Sequence, residues 1–66
     1  MKNTVRNAVS QYRDKAELTQ QELAEKVDVT RQTIHALEKG NYTPSVALAL
    51  RLAKVFNCRV EDLFKL

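Results

Sequence analysis

Arg31, Gln32 and Thr33 stand in a row, and the small Ala36 follows one helical turn later. Each of the three carries a different hydrogen-bonding pattern. Arginine donates two parallel bonds and suits O6 and N7 of guanine; glutamine both donates and accepts and suits N6 and N7 of adenine; the threonine methyl packs on that of thymine. Ala36 would let the backbone beneath them come close to a groove. Taken alone, the same row is an ordinary solvated first turn of a helix. What decides between the two readings is how the neighbouring elements hold it.

Other chemistry has less to work with. There is no glycine-rich phosphate loop and no carboxylate pair in an apolar setting, and His35 has no Ser or Cys partner suggested by local sequence. One His and the single Cys58 make no zinc set and no internal disulfide. The expectation is a protein that is not an enzyme and holds no metal or cofactor, with His35 a surface residue rather than a pH switch. Lys39, Asn41 and Tyr42 come directly after the row's helix, where a lysine charge and a tyrosine hydroxyl can reach phosphate.

Two helix signatures lie back to back between Thr19 and Gly40. In the first, Thr19 stands three residues before Glu22, the spacing of a capping box, with Leu18 at the hydrophobic-staple position ahead of it. Leu23, Ala24 and Val27 then share one face. The second starts at Thr30, turns Ile34 and Leu37 inward, and stops at Gly40, the only glycine of the chain and a natural left-handed exit. Only Asp28 and Val29 remain for the connection. So short a corner between two helices is a helix-turn-helix, and it leaves Arg31, Gln32 and Thr33 at the exposed leading end of the second helix.

The remaining chain supplies a frame. Val5, Ala8, Val9 and Tyr12 recur at helical spacing and predict a first helix from Thr4 to about Lys15, capped by Asn3 or Thr4. After Gly40, Pro44 disfavours helix at Thr43, so residues 41–44 form a loop. Ser45 caps a fourth helix running through Phe56, whose apolar stripe is wider than one core needs; it is either central to the domain or shared with a partner. Asn57 suits a helix exit, Cys58 reads as a small packing residue, and Val60, Leu63 and Phe64 mark a short fifth helix. Sixty-six residues with 44% hydrophobic and 29% charged content make one folded domain over 1–66. The net charge of +3 favours polyanions. No apolar run approaches a membrane span and the first residues lack a signal peptide's hydrophobic region, so a cytoplasmic location is expected.

The segments L-T-Q-Q-E-L-A-E-K-V, V-T-R-Q-T-I-H-A-L-E-K-G, Y-T-P-S and V-E-D-L-F together resemble the Cro and lambda-repressor-like helix-turn-helix regulators, also called the xenobiotic-response-element family. The resemblance covers nearly the whole chain. It implies an all-α, five-helix domain that binds double-stranded operator DNA as a dimer and represses or activates transcription; a homodimeric repressor is the expectation. It further implies base contacts from Arg31, Gln32, Thr33 and Ala36, phosphate contacts from Gln20, Thr30, Lys39, Asn41 and Tyr42, and a structural pair of Arg13 with Glu38. The chain departs from the family where glycine is usual, at Glu17, Asp28 and Asn57; Asp and Asn accept left-handed backbone, whereas Glu17 would be strained or force a different link. Leu48, Val55, Phe64 and Leu66 could close the core or form a twofold patch, and a homodimer is expected because the chain ends directly after them. Two other readings remain open: an antitoxin-type regulator that also covers a protein partner, and a helical interaction module that touches no nucleic acid.

Overall fold

In the computed structural model, residues 6–66 are described, and five helices and a two-stranded ribbon account for most of them. The helices are α1 (Val9–Lys15), α2 (Gln20–Lys26), α3 (Arg31–Glu38), α4 (Val46–Phe56) and α5 (Val60–Leu63), and the strands are β1 (Arg6–Asn7) and β2 (Phe64–Lys65). The expected caps Asn3 and Thr4, and Val5 of the first apolar stripe, lie outside the described residues.

Side-chain oxygens start three of the helices. Thr19 accepts from the Glu22 N–H while the Glu22 carboxylate accepts from the Thr19 N–H, completing the capping box; Thr30 accepts from the Thr33 N–H and Ser45 from the Leu48 N–H. Four of the helix exits are left-handed. Glu17, Asp28, Gly40 and Asn57 have φ of 58°, 61°, 81° and 53°. After α3 the Gly40 N–H donates to the Leu37 carbonyl and the Asn41 N–H to that of Ala36, the paired bonds of a Schellman exit. Glu17 makes the same exit for α1, its N–H donating to Asp14 and that of Leu18 to Arg13. Strain at Glu17, rather than a different link, is the outcome.

Leu23, Ala24 and Val27 of the α2 segment, Ile34 and Leu37 of α3, Leu48 and Leu52 of α4, Val9 and Leu63 form one buried cluster. The rings of Tyr12 and Phe56 meet at 5.7 Å between centroids and join α1 to α4.

Three expectations are corrected. The first helix starts at Val9, not near Thr4: Arg6 and Asn7 are extended and pair antiparallel with Lys65 and Phe64. Asn7 ends this strand by accepting from the Val9 N–H and donating to the Leu37 carbonyl, which turns the chain into α1. Phe64 accordingly belongs to β2 and not to the fifth helix. Leu48 is 2% exposed within its own core and has no surface to offer a second subunit. Val55 and Phe64 are half-buried against that core, and Leu66 is exposed. The surplus of the wide α4 stripe emerges instead at Val46 and Leu50, 76% and 57% exposed.

Candidate nucleic-acid interface

The corner between α2 and α3 is closed by the Val29 N–H donating to the Ala24 carbonyl, with Asp28 in the left-handed region. Ile34 and Leu37 of α3 are buried, which fixes the rotation of the helix. At about 100° per residue, Gln32 then lies opposite the buried pair, with His35 and Ala36 to either side. Arg31, Gln32, His35 and Lys39 are exposed and Ala36 is half-buried. Thr33 is half-buried as well, and its hydroxyl lies 3.1 Å from that of Thr30 at the cap. Thus Arg31 and Gln32 form the outward front of the row, while Thr33 is partly occupied with holding the helix start. Beyond the helix, Asn41 and Tyr42 are exposed in the loop that follows Gly40.

Behind this surface sits a polar knot joining three helices. Arg13 of α1 donates from Nε to Glu38 Oε2 at 2.7 Å and from a terminal nitrogen to Oε1 at 3.2 Å, and its other terminal nitrogen donates to the Leu18 carbonyl at 2.8 Å. The Arg13 and Glu38 side chains are 16% and 8% exposed. The hydrogen bond from Arg13 to Glu38 is the main reason that the guanidinium pKa is raised, against the opposing effect of burial. Gln20, at the start of α2, donates from Nε2 to Glu38 Oε1 at 3.0 Å, and the same nitrogen lies 3.5 Å from His35 Nδ1. The Arg13 and Glu38 pair is therefore in place. The Gln20 amide, expected to point at phosphate, is turned onto Glu38 and His35. Nothing in the local spacing signals this contact, because Gln20 and His35 are fifteen residues apart.

Among the described residues no group of three His, Cys, Asp or Glu is placed to hold a metal ion, and no helix is long and apolar enough to cross a membrane. Cys58 is half-buried, and burial pushes its thiol pKa up, away from the reactive thiolate.

A tight helical corner, a capped second helix and an outward polar front define a helix-turn-helix, and the helix-turn-helix family matches residues 9–63. The chain belongs to this Cro/C1-type family of DNA-binding transcriptional regulators. It is 53% identical over 60 residues to an uncharacterized helix-turn-helix-type transcriptional regulator of Archaeoglobus fulgidus, covering 91% of this chain and 86% of that one. It is 45% identical to another, YgzD of Bacillus subtilis, over 60 residues that make up 91% of each. Among solved structures it is similar to the SOS-response transcriptional repressor LexA from Eubacterium rectale, with a TM-score of 0.77 and 33% identity; the likeness covers 82% of this chain and 57% of the LexA chain.

Proposed function

We propose that the protein is a sequence-specific transcriptional repressor that inserts α3 into the major groove of a near-palindromic operator as a homodimer, in the cytoplasm and without catalysing a reaction. The observation that carries this reading is the rotation of α3, with Ile34 and Leu37 in the core and Arg31 and Gln32 exposed at the capped leading end. Arg31, Gln32, Thr33 and Ala36 then face base edges, and Thr30, Lys39, Asn41 and Tyr42 border the phosphates on either side. Two copies would place their α3 helices in successive major grooves, about 34 Å apart. Among the described residues, Val46, Leu50 and Leu66 are exposed aliphatic side chains available to such an association.

Selection of bound duplexes from random DNA tests the reading. A two-part, inverted consensus is expected, with affinity that falls steeply as salt rises. Recovery of no consensus, together with binding indifferent to salt, would remove the proposal.

A further inference from the structure

We infer that His35 is a DNA-backbone contact, held in an outward-donating tautomer by a relay from Glu38 through Gln20. The inference rests on the reading of α3 as the DNA-facing helix and adds a residue to it.

The relay begins with Glu38, whose carboxylate can only accept. Its Oε1 is 3.0 Å from the Gln20 side chain, so the amide must turn its nitrogen, not its oxygen, toward Glu38. The amide orientation is thereby settled by a side chain that is itself clamped by Arg13 and 8% exposed. The Gln20 nitrogen has a second proton, and the group beside it is His35 Nδ1 at 3.5 Å. An amide nitrogen cannot accept, so in a neutral ring Nδ1 is the acceptor and the proton resides on Nε2. That leaves an N–H on the far side of an exposed ring.

The position of the ring shows what this donor meets. Arg31, His35 and Lys39 recur every four residues along α3 and its cap, all exposed, and form a single ridge of three donors. Glu38, the acid of α3, is 8% exposed, with its carboxylate held by Arg13 and Gln20. His35, the middle of the three, lies beside Gln20 at the start of α2, to one side of the outward Gln32. With Gln32 and the leading Arg31 on base edges, a helix seated in a major groove would bring His35 on its flank against the sugar-phosphate strand at the groove's edge, where an N–H finds phosphate oxygens.

Two measurements test the inference. The 15N shifts of the His35 ring report which nitrogen carries the proton: Nε2–H is expected in the intact protein at neutral pH, drifting toward a mixture in Gln20→Ala. An Nδ1–H ring in the intact protein would overturn the relay. In duplex titrations His35→Ala should lose about fivefold to tenfold in affinity on a selected site and on unrelated DNA alike, because a phosphate contact carries no sequence information. An unchanged thermal midpoint shows that the variant is folded. Wild-type affinity in His35→Ala, or a loss confined to the selected site, would overturn the backbone contact while leaving the regulator reading standing. Failure of the unmodified protein to bind any duplex at low salt would remove both.

Discussion

Replacing Glu17 by glycine should stabilise the protein, and the size of the gain follows from one backbone angle. Glu17 leaves α1 with φ of 58° and carries its Cβ into the crowding that a left-handed residue suffers. That conformation costs a non-glycine residue about 1–2 kcal/mol. Glycine removes the cost but surrenders about 0.5–1 kcal/mol through the greater freedom of its unfolded chain. The net gain is about 0.5–1 kcal/mol. In a domain of this size that raises the melting midpoint by roughly 3–6 °C, readable by circular dichroism. Asp28 and Asn57 have similar angles of 61° and 53°, yet their short polar side chains tolerate the left-handed region. Asp28→Gly and Asn57→Gly should therefore gain less than Glu17→Gly. A lower midpoint for Glu17→Gly, or the largest gain at Asn57, would refute the argument that crowding at Cβ sets the order.

The other expectations concern the polar knot and the capping box. Arg13→Ala and Glu38→Ala should each cost about 3 kcal/mol in urea unfolding, and the double variant much less than their sum, since either single change strands a nearly buried charge; additive losses would show that the two do not act as a pair. The Glu22 carboxyl is held below the ordinary value of 4.5, first by the hydrogen bond from the Thr19 backbone N–H and then by the Thr19 side chain. Its contribution is thus complete above that value and lost as pH falls through the lowered one. The stability difference between the wild type and Glu22→Gln should be constant near neutrality and shrink on acidification. A difference that grows as pH falls would contradict the capping-box assignment.

Much of this arrangement is legible in the sequence because it is local. Caps at Thr19, Thr30 and Ser45 act within three residues, and the inward faces of α2 and α3 follow helical spacing, so the corner and the exposure of Arg31 and Gln32 can be read directly. What escapes is decided at a distance. Arg6 and Asn7 fall inside the helical spacing of Val5, Ala8, Val9 and Tyr12, but they pair with Lys65 and Phe64 at the opposite end of the chain, and that pairing overrides the local pattern at both ends. Leu48 and Leu50 are the same residue type two positions apart; only the packing of α4 buries one and exposes the other. The contact of Gln20 with His35 depends in the same way on how α2 and α3 are set against each other.

The account depends most on Gln32 facing outward from α3, opposite Ile34 and Leu37, and reading a base. The direct measurement is the affinity of the wild type and of Gln32→Ala for a selected duplex and for copies altered one base pair at a time. If Gln32 reads a base, its variant loses about 1–3 kcal/mol on the selected duplex and becomes indifferent at one position while keeping its preference at the others. Equal losses on selected and random DNA, or an unaltered preference at every position, would contradict it.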